Sequence, residues 1–216
     1  MDILAVIPAR GQSKRLPRKN LALLNGKPLL VHTIEQAVKS RYINKIVCST
    51  EDDEIANIAR RNGCQVITRP NRLAQDDIPT LPVIQHTLDY LWKYQHYKPL
   101  IVITLQPTSP LRTADDIDST VKLLIDNGYD STFSVTDAKT NGAVYVSRIY
   151  VHMEQNAMVS KGNYGYYSMP EERSIDINTQ EDLEKAEAIL KGVENADSGG
   201  GKVSRFVGKR GRPKKH

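Results

Sequence analysis

The chain has 216 residues, 39% of them hydrophobic and 25% charged, which suits one α/β domain with a substantial core and leaves too little for two. No window approaches the roughly 18 consecutive apolar residues of a membrane span, and two cysteines, Cys48 and Cys64, without metal-type spacing exclude a disulfide framework. Seven of the 30 Lys and Arg fall in residues 202–216, which hold no acid; residues 1–201 therefore carry 23 basic against 25 acidic side chains, and the net charge of +5 describes the tail, not a nucleic-acid-binding body.

Residues 3–8 (ILAVIP) are a short continuous apolar run, the pattern of a parallel strand buried on both faces. The loop that follows, ARGQSKRLPRKN, packs Arg10, Lys14, Arg15, Arg18 and Lys19 into ten residues. A helix is predicted over PLLVHTIEQAVKSR, with Leu30, Ile34, Ala37 and Val38 on one face and Pro28 suited to its first turn. KIVCST reads as a second buried strand, and EDDEIANIARRNG as a helix with acids at its start, bases in its last turn and Gly63 as its stop.

QVIT is a third strand, TLPVIQHTLDYLWKY a helix with Pro82 in its first turn, and LIVITLQ the most continuous buried strand of the chain. TADDIDSTVKLLIDNG is helical, STFSV and GAVYVSR are strands, and TQEDLEKAEAILKG is a last helix with Thr179 and Asp182 at capping-box spacing. Alternating strands and helices predict a doubly wound, mainly parallel α/β sheet, whose ligands bind beyond the carboxyl ends of the strands. The predicted domain covers residues 1–195. Residues 196–216 end in a Gly-rich, then basic stretch with almost no apolar content, the composition of a disordered tail. The apolar run precedes the basic loop, the reverse of a secretory signal, and two ordinary thiols suit a reducing cytoplasm, the expected location.

The basic loop sits where that rule puts a site. A triphosphate needs close backbone N–H groups and several cations; Gly11 and Ser13 permit the turn, and Arg10, Lys14 and Lys19 supply charge. The spacing matches neither the P-loop nor the dinucleotide fingerprint. LQPTSPLR (105–112), after a buried strand, offers Gln106, Thr108, Ser109 and Arg112; RPNRLAQDD (69–77) follows another strand, and SIDINTQEDL (174–183) presents Asp176 before the last helix. Bland readings stand for the remaining polar residues. Arg15 and Arg18 face solvent, residues 51–54 (EDDE) are helix N-terminal charge, His32, His86 and His96 carry no catalysis, and Tyr164, Tyr166 and Tyr167 pack.

Together with IPARGQSKRLPRKNL, these stretches resemble, in order over residues 3–191, the cytidylyltransferases that activate sialic-acid-type sugars, the CMP-N-acylneuraminate synthetase family. The resemblance implies a Rossmann-like nucleotidyltransferase fold. It also implies attack by the anomeric hydroxyl of an α-keto sugar acid on the α-phosphate of CTP, with Mg²⁺ as cofactor and pyrophosphate as leaving group. Carried across by motif, Arg10, Gly11, Ser13, Lys14 and Lys19 bind the triphosphate, and Asn20 holds the nucleotide or the loop. Arg69, Thr80 and Gln106 surround cytosine and ribose, and Asp176 and Asn178 hold the metal. Arg10, Lys14, Lys19 and Asp176 carry the catalytic role. Related chemistries remain open at this stage: a 3-deoxy-manno-octulosonate or other sugar nucleotidyltransferase, and a shortened family member that binds CTP without turnover.

Three departures accompany the resemblance. Gln12 stands where the family has a second glycine, and Asn178 where it has an aspartate, removing one negative charge from the metal motif. Between the SV strand and the NGA segment the family carries a long insertion that helps bind the sugar acid and forms much of a homodimer contact; here only Ala138, Lys139 and Thr140 separate Asp137 from Asn141. The tail segment GKRGRPKKH is similar to the core of an AT-hook, a minor-groove nucleic-acid contact.

Overall fold

The structure, a computed structural model, describes residues 1–196. Its centre is a seven-stranded sheet. Strand β1 (Ile3–Pro8) lies between β4 (Lys45–Thr50) and β6 (Ile101–Thr104), parallel to both, and β5 (Gln65–Thr68) extends the sheet beyond β4. On the other side β6 pairs antiparallel with β8 (Lys139–Arg148), β8 antiparallel with β7 (Ser131–Thr136), and β7 parallel with β9 (Tyr164–Ser168). The order is β5-β4-β1-β6-β8-β7-β9. Only β8 runs against the rest, so the expectation of a mainly parallel α/β sheet holds. A two-residue pairing, β2 (Leu23–Leu24) with β3 (Lys27–Pro28), forms a small separate hairpin.

The continuous apolar run of β1 has the expected cause. Ile3, Ala5 and Ile7 point into one core layer, against α1 (Leu29–Lys39), α2 (Asp53–Arg61) and α4 (Ala114–Asn127). Leu4 and Val6 point into the other, against α3 (Thr80–Gln95), with partly buried Ile149 and Met153 of the short helix α5 (Ile149–Met153) beside them. Side chains of a strand alternate between faces, so a strand covered on both sides must be apolar at every position. A third cluster joins Leu24, Leu29 and Leu111 to Ile177 and to Leu183 and Ala186 of α6 (Gln180–Ala196), clamping the last helix onto the first loop region.

Local signals place the helix starts. Asp52 caps α2 by accepting from the Ile55 N–H at 2.9 Å. Thr113 and Asp116 form a reciprocal capping box on α4. Thr179 and Asp182 do the same before α6, the Asp182 N–H donating to Thr179 Oγ1 and the Thr179 N–H to Asp182 Oδ2. Pro82 is in the first turn of α3, and Pro28 immediately precedes α1. Both thiols are buried and free. Among the described residues no helix is long and apolar enough to cross a membrane. The AT-hook-like tail and its expected disorder lie outside the described residues.

The chain runs outward from β1 through β4 to β5, then returns across to β6 on the far side of β1. That reversal creates a crevice at the carboxyl ends of β1 and β6, where such sheets hold ligands.

Candidate nucleotide site

A cleft of about 220 Å³ opens at this crevice, and seven of the residues singled out in the sequence line it: Arg10, Lys19, Asn20, Arg69, Thr80, Gln106 and Thr108. They come from four places. Arg10, Lys19 and Asn20 belong to the loop after β1, Arg69 follows β5, Thr80 opens α3, and Gln106 and Thr108 follow β6. The first turn of α3 faces the cleft with no side-chain cap on its N-terminus, so the positive end of a 16-residue helix adds to the local field.

The loop after β1 is held by its own polar contacts. Asn20, buried in the turn Lys19–Leu21, donates from Nδ2 to the Arg10 carbonyl at 2.8 Å and closes the loop on itself. The Gly11 N–H donates to Glu51 Oε1 at 2.7 Å. A Cβ on Gly11 would stand 2.5 Å from Asp52 Oδ2, so the loop can lie this close to the start of α2 only with glycine there. Ser13 is half-buried in the same loop.

Cations converge here, and each is met by an anion or a carbonyl-type oxygen. Arg10 pairs with Asp76 through Nη1, and Lys14, largely exposed, reaches the other oxygen of Asp76 at 3.3 Å. Arg69 is buried and donates from Nε to Glu51 Oε2 at 2.9 Å, leaving its Nη2 buried without a partner. Lys19 donates to Asn178 Oδ1 at 3.0 Å and Arg15 to the same oxygen at 2.9 Å. Burial holds the Lys19 ammonium below its ordinary value; Asp176 opposes this, while Arg15 and Arg10 reinforce it.

Asp176 and Asn178 stand on either side of Ile177, which is fully buried in the third cluster and donates its N–H to the Thr108 carbonyl at 2.7 Å. Asn178 Nδ2 donates to Asp176 Oδ2 at 2.6 Å. Asn178 Oδ1 accepts from both Lys19 and Arg15, so it could hold a metal only by giving up these two bonds. Asp176 has the chemistry for Mg²⁺, a hard carboxylate oxygen beside a phosphate-type grip, and Mg²⁺ commonly uses one or two carboxylates with substrate phosphates and water. Among the described residues no group of three or more His, Cys, Asp or Glu is arranged to hold a metal by itself.

Three residues take roles here that the sequence did not assign them. Glu51 is not merely helix-terminal charge: it sits one residue before the Asp52 cap and bridges the phosphate-type loop to Arg69. Asp76 lies in the quoted RPNRLAQDD stretch, but nothing in that stretch tells which of its two acids faces the cleft. Arg112 is a brace. Only 1% exposed, it donates to the carbonyls of Gln106 (2.9 Å from Nη1) and Ala143 (2.7 Å) and to Thr33 Oγ1, fixing the loop after β6 against β8 although burial works against its charge. Arg15 and Arg18 are exposed as expected but engaged, Arg18 with Asp52 and Glu54. Tyr167 packs and donates to Asp116 Oδ1 at 3.2 Å, and Tyr164 lies against Phe133.

Beside Gln106, β8 carries an irregularity. Phe133 pairs with Tyr145 and Val135 with Thr140, so a single residue of β7 faces a four-residue bulge, Asn141 to Val144. Gly142 takes φ +74° within it, and a Cβ there would lie 3.3 Å from Gln106 Oε1. Asn141 ties the bulge to the metal-motif segment, donating to Ser174 Oγ and Thr136 Oγ1, both at 3.1 Å.

A Rossmann-like sheet with a cation-lined cleft at its reversal point defines a nucleotidyltransferase fold. A family model described as Cytidylyltransferase matches residues 4–195, and the chain belongs to that family. It is 45% identical over 126 residues to the CMP-N,N'-diacetyllegionaminic acid synthase of Legionella pneumophila, covering 57% of this chain and 53% of that protein. Over 226 aligned residues it is 29% identical to the N-acylneuraminate cytidylyltransferase of Escherichia coli O18:K1:H7, covering 87% of this chain and 52% of that protein. The chain thus spans about half the length of the curated relatives it matches. A solved CMP:2-keto-3-deoxy-manno-octonic acid synthetase complexed with CTP shares the fold with a TM-score of 0.70 at 16% identity, covering 89% of this chain and 100% of that one.

Proposed function

We propose that this chain transfers CMP from CTP to the anomeric hydroxyl of a nonulosonic (sialic-acid-type α-keto) acid. The hydroxyl oxygen forms a bond to the α-phosphorus, the bond from that phosphorus to the bridging oxygen breaks, pyrophosphate leaves and the hydroxyl proton passes to solvent. The observation that carries this reading is the convergence of Arg10, Lys19, Arg69, Thr80 and Gln106 on one cleft at the sheet's reversal point, with a buried donor, Arg69 Nη2, left without a partner. A buried unpaired guanidinium nitrogen is costly and points to an acceptor supplied by a ligand.

In this reading Arg10, Lys14, Lys19 and the Gly11–Ser13 backbone hold the triphosphate. Arg69, Thr80 and Gln106 surround the nucleoside, and Asn20 holds the loop shape. Such a transfer depends mainly on positioning and on neutralising charge as the pyrophosphate departs. Mg²⁺, held through Asp176 and phosphate oxygens, would supply further charge neutralisation. The two relatives described above support the acceptor class, since their names give a diacetyllegionaminic acid and an N-acylneuraminate.

A second reading rests on the turn between β7 and β8. Where the resembled family carries an acceptor-binding insertion, this chain has two residues, Asp137 and Ala138, which favours a CTP-binding protein without turnover. One experiment separates the two. CTP, Mg²⁺ and a panel of nonulosonic acids, 3-deoxy-manno-octulosonate and sugar-1-phosphates are assayed for pyrophosphate, with Arg10→Ala and Asp176→Ala as controls. Product with a nonulosonic acid, lost in both controls, supports transfer. CTP binding without product from any acceptor supports the second reading, and product that survives both substitutions overturns the site.

A further inference from the structure

The cleft holds an anion of its own beside the cations of the loop after β1. Asp76 lines the cleft beside Arg10 and Lys19, and its two carboxylate oxygens take two different cations, Oδ1 pairing with Arg10 and Oδ2 with Lys14 at 3.3 Å. Both cations belong to the loop after β1, while Asp76 comes from the segment between β5 and α3, on a different side of the crevice. Neither pair is sealed: the side chains of Arg10 and Asp76 are 31% and 29% exposed, and that of Lys14 is 85% exposed. The contrast with the neighbouring Glu51 is informative. Glu51 and Arg69 form a buried pair, 13% and 3% exposed, that also fastens Gly11; it is built as part of the wall. Asp76 holds its two cations where solvent or a ligand can reach them.

We propose that Asp76 is a tethered counter-anion that a ligand must displace from Arg10 and Lys14, and that it sets the affinity of this grip for phosphates. The inference rests on the phosphate-grip reading of the loop after β1. Two consequences follow from charge alone. A ligand engages the grip only if its anionic oxygens outcompete a carboxylate held nearby at high effective concentration, so phosphate-bearing ligands of these two cations are weakened while a ligand that does not reach them is not. Once pyrophosphate has formed, Asp76 competes with it for the same two cations and speeds its departure. The fraction of protein with Asp76 released is the fraction competent to bind, and apparent affinity for any ligand of Arg10 and Lys14 is reduced by that fraction.

The test is equilibrium binding of three probes, inorganic pyrophosphate, CTP and cytidine, to the wild-type chain, Asp76→Asn, Asp76→Ala and Asp76→Glu, with thermal melting of each. Removing the charge is expected to tighten pyrophosphate and CTP about fivefold, the ratio that matches release of half-exposed ion pairs. Cytidine, which does not reach the two cations, is expected to keep its affinity, and Asp76→Glu to keep wild-type affinity for all three. Unchanged or weaker pyrophosphate binding in both neutral variants overturns the inference, and so does equal tightening of cytidine. The two readings fail separately. Pyrophosphate that tightens in a chain indifferent to CTP and cytidine leaves Asp76 as proposed and removes the cytidine reading. CTP bound equally well by wild type and both neutral variants removes the role of Asp76 and keeps the nucleotide site. A wild type that binds neither pyrophosphate nor CTP overturns both.

Discussion

The Ile177 N–H donates to the Thr108 carbonyl at 2.7 Å, joining the segment that carries Asp176 to the loop that carries Gln106. The Ile177 side chain is fully buried between Leu24, Leu29 and Leu111 on one side and Leu183 and Ala186 of α6 on the other. An apolar anchor thus sits between two polar residues, and burying it sets where both of them stand. Ile177→Ala leaves a cavity in the smallest of the three clusters and is expected to cost about 3 kcal/mol. Because this cluster holds α6 and not the sheet, the loss is local: amide exchange in α6 should accelerate while β1, β4 and β6 stay protected. Uniform loss of protection over the whole sheet would show that α6 does not open as a separate unit.

Asp116 is fully buried at the start of α4 and accepts from Arg173 through both oxygens, at 2.9 and 2.8 Å, from the Thr113 backbone and from Tyr167. Burial alone would raise its pKa, but the bonds from Arg173 and Thr113 outweigh it and hold the carboxyl below the ordinary aspartate value. A carboxyl depressed on folding contributes stability above its unfolded value, about 3.9, and that contribution is lost as pH falls through the lower folded value. The wild-type chain should therefore lose stability below about pH 4 more steeply than Asp116→Asn. At pH 7 the same substitution is expected to cost about 2 kcal/mol, since half-exposed Arg173 can recover water. Parallel acid limbs for the two proteins in urea titrations would assign the slope to other carboxyls.

Much of the fold is legible in the chain because its signals are local. The apolar runs of β1, β4 and β6, the caps at Asp52, Thr113 and Thr179, and the cationic loop each declare themselves within a few residues. What is not legible depends on partners far away in sequence. GAVYVSR reads the same whether its strand runs with or against the sheet, and only the short turn from β7 makes β8 antiparallel. β9 hides in YGYYS, whose aromatic character suggests packing without stating an edge strand beside β7. Four consecutive acids at 51–54 look alike, yet Glu51 alone reaches back 40 residues to the Gly11 N–H. Arg112 looks like a ligand from its place in LQPTSPLR and is a buried brace, because Gln106, Ala143 and Thr33 close around it.

Lys19 gives the site a pH dependence of known sign. Burial lowers its pKa, and the guanidinium groups of Arg15 and Arg10 lower it further while Asp176 opposes them. In the proposed grip the protonated amine holds the triphosphate, so affinity is expected to fall as pH rises through a value below the ordinary lysine figure of about 10.4. Lys19→Arg keeps its charge across that range. Pyrophosphate affinity of the wild type is expected to decline between neutral and alkaline pH, with the decline abolished in Lys19→Arg. An identical decline in both proteins would place the titrating group elsewhere.

The turn between β7 and β8 carries an avoidable strain. Asp137 and Ala138 are its two central residues, at φ 49° and 60°, the left-handed pair of a type I′ hairpin. Aspartate tolerates this region, but alanine brings its Cβ against the following carbonyl at a cost of about 1–2 kcal/mol, which glycine escapes. Part of that gain is offset by the greater freedom of glycine in the unfolded chain, so Ala138→Gly is expected to stabilise by about 1 kcal/mol and raise Tm by about 2–4 °C. The two central residues do not line the cleft, so CTP affinity should not change. The same variant therefore tests whether the short turn is only a connection. A stabilised chain with unaltered nucleotide binding makes it one, whereas a loss of CTP affinity would mean that the turn's conformation, through Asn141 and Ser174, is transmitted to the segment carrying Asp176.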